Sequence, residues 1–347
     1  MRGATFLNSP WSLLLTPLGW FWEVCALARH FLFRNGLRAQ VKPPLPTLSI
    51  GNLAVGGTGK TPLLLDALRR LEAASVHAGV LSRGYGGDEG AIVRNRFPKV
   101  ILEENPDRVR GLAAMLAKGK PDVLFLDDGF QHFQLARDKD LVLLDAECPW
   151  GRCLPSGPFR EGRRALRRAD FVVLSRAQSV GDADREAIWS GIRAIRRGLP
   201  SIPRVEGDIA VQKLHRLGKE DVRPSSWLDG NQVFLAAGVA RPETFRRLCE
   251  TAGACVIGED WKADHHGWRS KDFDAWPRNF PILVTEKDAV KIRDIGSREV
   301  WEVKIDWAFS QGEEEWEMLL ESLILPSRAG QIEPLWRAVD PNAVTPG

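Results

Sequence analysis

Three observations predict an α/β protein with a parallel sheet and a second, smaller C-terminal α/β domain. Short apolar runs at 48–50, 78–82, 123–126, 141–144 and 171–174 alternate with stretches of helical character. The runs are continuously apolar, as in strands covered on both faces of a parallel sheet. A glycine-rich segment follows the first run and leads into a helix. The 347 residues are long enough for two cores, and 44% hydrophobic with 27% charged is ordinary for a globular chain.

In chain order, residues 10 to 33 come first, rich in Leu, Trp and Phe but interrupted by Pro17, Gly19, Glu23, Arg29 and His30. No charge-free run reaches the roughly 20 residues of a spanning helix, and no small-residue cleavage site of a signal peptide follows. The stretch reads as an N-terminal amphipathic helix carrying Trp11, Trp20 and Trp22, with Arg29, Arg34 and Arg38 toward its end. Such a helix suits the interface of an anionic membrane; packing on the protein's own core is the other reading. Because it precedes the first core strand, removal of residues 1 to 34 is expected to release the protein from membranes without disturbing the nucleotide site. Residues 1 to 42 hold Arg2, Arg29, Arg34, Arg38 and Lys42 against Glu23 alone, so basic charge gathers there. A net charge of only +3 excludes a general nucleic-acid binder. The five cysteines are odd in number and form no C-x-x-C pair, which excludes a disulfide framework or a zinc site and fits a reducing cytosol. No obligate protein partner is evident.

The organising segment spans 46 to 62. Leu48 and Ile50 lie in a β-prone run, Gly56, Gly57 and Gly59 permit backbone conformations closed to other residues, and Leu63, Leu64, Leu65 and Leu68 begin an apolar helix face. A loop of this kind aims several N–H groups and the positive end of a helix dipole at one point, as a phosphate chain requires. Gly56-Gly57-Thr58-Gly59-Lys60-Thr61 matches the end of the P-loop pattern, with Ala54 in place of its first glycine. In that pattern Lys60 reaches the β- and γ-phosphates and the Thr61 hydroxyl meets Mg²⁺.

The run at 123–126 ends in Asp127 and Asp128, carboxylates placed to bind Mg²⁺ beside such a loop, and Gln131 and His132 follow after one turn. The GTPase pattern D-x-x-G fails because Leu126 stands three residues before Gly129. The guanine-reading T-K-x-D fails because Glu286 follows Thr285, so ATP is the expected nucleotide. Arg160, Arg163, Arg164, Arg167 and Arg168 recur at the spacing of one helix face, a basic surface for phosphate or anionic lipid. The resulting division is a helix at 1–40, a P-loop domain at 41–200, a linker with short strands at 201–230, an α/β domain at 231–325 and a tail at 326–347. In the fourth segment, strands are expected at 233–237, 254–257, 282–285 and near Val303, with a helix at 242–252.

Several segments together resemble the tetraacyldisaccharide 4′-kinase family of lipid A biosynthesis. They are Ser49-Ile50-Gly51-Asn52, the glycine loop, Ser82-Arg83-Gly84-Tyr85-Gly86, Gly87-Asp88-Glu89, Asp127-Asp128-Gly129-Phe130-Gln131-His132, Gly157-Pro158-Phe159-Arg160-Glu161, Asp264-His265-His266 and Thr285-Glu286-Lys287-Asp288. The resemblance runs in order from about residue 10 to about residue 305, although the family's usual spacer between Gly86 and Gly87 is absent. It implies an ATP- and Mg²⁺-dependent lipid kinase that phosphorylates the 4′-hydroxyl of an acylated glucosamine disaccharide 1-phosphate, peripheral to the cytoplasmic face of the bacterial inner membrane. It also implies Asp88 as base with His265, Lys60 as catalytic cation, and Gly56, Gly57, Thr58, Gly59, Lys60 and Thr61 around the nucleotide. Thr61, Asp127, Asp128, Gln131 and Glu161 would serve the metal, and Asn52, Arg83, Tyr85, His132 and Arg160 the substrate. The alternatives are a nucleotide-dependent switch without a lipid acceptor and a structural membrane-interface protein.

Overall fold

The fold is a computed structural model describing residues 10–84, 88–239, 241–264, 266–292 and 298–328. The chain falls into two compact units, one of Met1–Gly84, Phe97–Asp208 and Phe309–Gly347, the other of Tyr85–Arg96 and Ile209–Ala308. The described helices are α1 (Thr16–Arg34), α2 (Lys60–Ala73), α3 (Asp88–Arg96), α4 (Arg108–Lys118), α5 (Asp182–Ile195), α6 (Pro242–Thr251), α7 (Glu286–Ala289) and α8 (Glu313–Arg328).

In the first unit, strands β1 (Thr47–Asn52), β2 (Ala78–Ser82), β3 (Ile101–Glu104), β4 (Val123–Asp127), β5 (Lys139–Asp145), β6 (Phe171–Ser175) and the start of β7 (Val205–Arg216) lie in the order β3-β2-β4-β1-β5-β6-β7. All are parallel. The five runs read from sequence are β1, β2, β4, β5 and β6. β3, the edge strand, went unread because Ile101-Leu102-Glu103-Glu104 offers only two apolar residues. Register places Ile50 of β1 opposite Asp127 of β4 and Leu141 of β5, so the residues after β1 and β4 emerge at the same sheet edge. One face of the sheet is closed by a core that includes Leu53, Phe130, Leu144, Phe159, Leu174, Trp189 and Ile192.

The C-terminal helix α8 joins the first unit through a buried charge cluster. Asp66 of α2, fully buried, accepts hydrogen bonds from Arg70 Nε at 2.8 Å and from the Trp316 indole at 2.7 Å. Arg70 in turn pairs with Glu313 and Glu317. The charges are tolerated inside because each has its partner.

The second unit has the strand order β10-β9-β11-β12-β7, with β8 (Val222–Pro224) antiparallel to β7, β9 (Gln232–Ala237), β10 (Cys255–Trp261), β11 (Ile282–Thr285) and β12 (Val300–Gln311). The expected 201–230 linker with short strands holds β7 and β8, and the division between the units falls inside it, at Asp208 and Ile209; Val205, Glu206 and Gly207 at the start of β7 pair with β6 within the first unit. In β7 Val205, Glu206, Gly207, Val211 and Leu214 are buried and Ala210, Gln212 and Lys213 exposed, so one continuous strand runs through this polar stretch. The expected 41–200 domain also loses α3 to the second unit. Arg96 pairs through its guanidinium with both oxygens of Glu286, its Nε lying 2.9 Å from Oε2, and donates to the Ile305 carbonyl at 2.8 Å; Lys287 Nζ donates to Glu89 at 3.0 Å. Short-range patterning cannot reveal such long-range ion pairs.

Helix α1 lays one stripe on the first unit, the packing on the protein's own core that its sequence left open. Glu23, Ala26 and His30 are partly shielded and Gly19 and Phe33 are buried, a spacing of three and four residues that turns one stripe onto the first unit. Gly19 lies against Cys153 and Ser156, and the rings of His30 and Phe33 pack on Phe133 with centroids 5.4 and 5.9 Å away. Leu18, Trp20, Phe21, Val24, Leu27 and Phe31 face outward, Trp20 and Phe21 each 67% exposed. Among the described residues no helix is long and apolar enough to cross a membrane. The Trp22 indole donates to the Arg160 carbonyl at 2.9 Å, so the helix is bonded to a site-bearing segment and is not the separable appendage expected from its position in the chain.

Candidate active site

The loop after β1 is shaped by two glycines whose conformation other residues rarely adopt, Gly56 at φ 119° and Gly59 at φ 91°. Gly59 caps α2, whose first residue is Lys60. Ala54 replaces a consensus glycine without strain because it forms an isolated bridge with Phe159, an extended pairing open to any residue. Flanking bonds run from Val55 N to the Pro158 carbonyl at 2.8 Å and from Arg160 N to the Leu53 carbonyl at 2.7 Å. Asn52, fully buried at the end of β1, donates to Thr58 Oγ1 at 3.0 Å and braces the loop from beneath.

Asp127 and Asp128 leave the end of β4, and Asp128 turns at φ 54° in the left-handed region. Asp128 lies 3.4 Å from Lys60 Nζ through Oδ1 and 2.7 Å from Arg160 Nη1 through Oδ2. Burial pushes its pKa up, but Lys60 and Arg160 outweigh burial and hold it below the ordinary value. Gln131 donates to the Asn52 carbonyl at 2.9 Å and places its own oxygen 3.4 Å from Arg160. Glycine is required at 51, where a Cβ would stand 2.5 Å from that of Phe130. It is equally required at 129, where a Cβ would stand 2.7 Å from that of Leu126.

The structure thus gathers Asn52, Gly56, Gly57, Thr58, Gly59, Lys60, Thr61, Asp127, Asp128, Gln131 and Arg160 around one sheet edge. Glu161, expected among metal ligands, is engaged differently: both its oxygens accept from Arg168, at 2.7 and 3.0 Å. The expected arginine face is also corrected, since only a short 3₁₀ turn, Arg163–Arg167, forms there. Arg160 turns to Asp128, Arg167 donates to the Ile195 carbonyl at 2.7 Å, and Arg168 lies over the Phe130 ring, leaving Arg163 and Arg164 exposed. Tyr85 and His265 lie outside the described residues. Asp88 opens α3, and its side chain is likewise outside the description.

Sequence reasoning missed Arg108. It is 3% exposed in the first turn of α4, donates to the Asp127 carbonyl at 2.7 Å, and keeps its buried Nη1 without a hydrogen-bond partner. Burial drives its pKa down to about 10 against the opposing pull of Asp127 and Asp128. One signal was available, because a cation in a first helical turn opposes the helix dipole and calls for a compensating role. Arg176 was also missed: it pairs with Asp145 and donates to the Gly57 carbonyl at 2.8 Å.

His132 stands beside these cations. Burial first, then Arg108, Arg29, Arg137 and Arg83, lowers its pKa to about 4, and its buried Nε2 has no hydrogen-bond partner. It is therefore a neutral imidazole at physiological pH, able to donate or accept one hydrogen bond but not to supply positive charge. In an NMR titration the His132 ring should keep its neutral-form shifts down to pH 5. A midpoint near the ordinary histidine value would contradict this electrostatic picture.

The model of the Tetraacyldisaccharide-1-P 4′-kinase family matches residues 11–95 and 86–324. A tetraacyldisaccharide 4′-kinase of Anaeromyxobacter sp. is 36% identical over 87% of this chain and 90% of its own length. One of Shewanella woodyi is 33% identical over 88% and 86%. A crystal structure of the "apo" form of LpxK from Aquifex aeolicus in complex with ATP aligns with a TM-score of 0.73 and 26% identity, covering 90% of this chain and 99% of that one. Likeness that extends through the phosphate loop, the paired aspartates and the second unit alike places this chain in the tetraacyldisaccharide 4′-kinase family.

Proposed function

We propose that this protein transfers the γ-phosphate of ATP to the 4′-hydroxyl of tetraacyldisaccharide 1-phosphate, giving lipid IVA. The observation that carries the reading is the Lys60–Asp128–Arg160 group at the mouth of a glycine loop, two cations and an ionised acid where phosphates would be held. Such a loop supplies N–H groups and a helix N-terminus to the polyphosphate, and Lys60 supplies charge to the phosphoryl group in transfer.

Thr61, Asp127 and Asp128 would hold Mg²⁺, with Gln131 at hand. Mg²⁺ keeps several waters and takes one or two carboxylates plus substrate phosphates. The fit is seen at Asp128 Oδ1, which is buried without a hydrogen-bond partner and lies 3.4 Å from Lys60 Nζ. When bound, the ion neutralises phosphate charge. Asp88, with His265, takes the proton of the 4′-hydroxyl as its oxygen bonds to the γ-phosphorus and the bond to the ADP oxygen breaks. Arg160, Asn52, Arg83, Tyr85 and neutral His132 are the groups assigned to the acceptor lipid.

The protein sits peripherally on an anionic membrane, at the cytoplasmic face of the bacterial inner membrane, through the outward stripe of α1. Support comes from Leu18, Trp20, Phe21, Val24, Leu27 and Phe31, an exposed apolar stripe opposite a docked one, with Arg34 in its last turn. The substrate's acyl chains reside in the same layer.

Purified protein given γ-labelled ATP, Mg²⁺ and tetraacyldisaccharide 1-phosphate in mixed micelles should label the lipid, and Lys60→Ala should not. Labelled inorganic phosphate released without labelled lipid would instead favour a nucleotide-dependent switch. Replacing Leu18, Phe21 and Leu27 together by serine should abolish co-sedimentation with anionic vesicles while leaving the fold intact. Undiminished co-sedimentation would remove α1 as the membrane contact.

A further inference from the structure

Arg176 follows β6 directly and adopts φ 53°, a left-handed backbone uncommon for a residue with a long side chain. It is 6% exposed, yet its guanidinium reaches two separate elements. Nη1 pairs with Asp145 Oδ2 at the end of β5, and Nη2 donates to the Gly57 carbonyl at 2.8 Å. Asp145 is itself fixed, 8% exposed and accepting from Glu147 N through Oδ1 at 3.1 Å. Gly57 is exposed in the middle of the loop, and a Cβ built there would meet nothing within 4 Å. Local packing therefore does little to orient its peptide.

A trans peptide is planar, so the carbonyl of Gly57 and the N–H of Thr58 point in opposite directions. Holding the carbonyl toward Arg176 turns the Thr58 N–H the other way, while Asn52 separately holds the Thr58 hydroxyl. Asp145 balances the guanidinium charge, which leaves Arg176 suited to steering the loop and poorly suited to binding phosphate itself.

We propose that Arg176, held by Asp145, is a positioning residue of the nucleotide site: it fixes the 57–58 peptide so that the loop N–H groups converge on the polyphosphate before ATP arrives. Its action is preorganisation, which improves binding by reducing what must be ordered on contact. The inference rests on the phosphate-loop reading of residues 56–61.

The test compares ATP and ADP affinity, KM for the lipid and kcat in the wild type, Arg176→Gln, Asp145→Asn and Lys60→Ala. Arg176→Gln should weaken ATP and ADP binding together by about tenfold or more, the scale of one charge-assisted hydrogen bond. Its kcat at saturating ATP and its KM for the lipid should stay within about twofold of wild type, a split that general loosening of the fold would not produce. Asp145→Asn, which leaves the arginine a neutral acceptor, should weaken nucleotide binding by a smaller factor, and it carries the test if Arg176→Gln does not fold. Wild-type nucleotide affinity in the folded variant, or equal losses for nucleotide and lipid, overturns the proposal. If Lys60→Ala also binds nucleotide normally, the phosphate-loop reading itself has failed; if Lys60→Ala alone loses affinity, only the role of Arg176 has.

Discussion

The site depends on one carboxylate held between two cations. Asp128 is partly buried, and burial by itself would favour its neutral form; Lys60 and Arg160 reverse that preference. Each member comes from a different part of the first unit: Lys60 from the start of α2, Asp128 from the turn after β4, and Arg160 from the segment that pairs with the loop flank at Leu53 and Ala54. The parallel register of β1 with β4 brings the first two to one edge. Glycine at 51 and 129 lets the chain pass close enough for the turn to form. Losing the register, either glycine or the bridge at Phe159 would separate charges whose energies require contact.

Around this group lie braces that are neutral or, for Arg176, balanced by Asp145. Asn52 holds Thr58, Gln131 holds the Asn52 carbonyl, Arg176 holds Gly57, and Trp22 of α1 holds the Arg160 carbonyl. The last contact ties α1 to the first unit beside its docked inner stripe, while its outer stripe remains apolar and exposed. In the second unit, α3 is gripped near both ends by consecutive residues of α7, Glu286 on Arg96 and Lys287 on Glu89. Those contacts give a physical role to the Thr285-Glu286-Lys287-Asp288 motif, and Asp288 adds bonds to the Trp268 indole at 2.9 Å and to Gly238 N at 3.1 Å.

Much of this was legible in the residues because the deciding features are local. A buried parallel strand must be apolar on both faces, so β1, β2, β4, β5 and β6 could be read directly. A loop with positive φ needs glycine, so Gly56 and Gly59 stood out. Features that arise from contacts between distant residues stayed hidden. β7 read only as short strands within a linker because half of it is polar, and its full length stayed hidden. The arginines from 160 to 168 looked like one face, yet Asp128, Glu161 and the Ile195 carbonyl draw them apart. Arg108 and Arg176 resembled ordinary surface arginines, since burial of a charge depends on partners that short-range periodicity cannot locate.

The central claim is that Lys60 and Arg160 keep Asp128 ionised for the metal that accompanies ATP. The most direct measurement is the Mg²⁺ dependence of turnover at saturating ATP for the wild type and for Asp128→Asn, with circular dichroism to verify the fold. The account predicts that the variant needs on the order of tenfold more Mg²⁺ to reach half of a much lower maximal rate. An unchanged Mg²⁺ midpoint together with an unchanged maximal rate in a folded Asp128→Asn protein would contradict it.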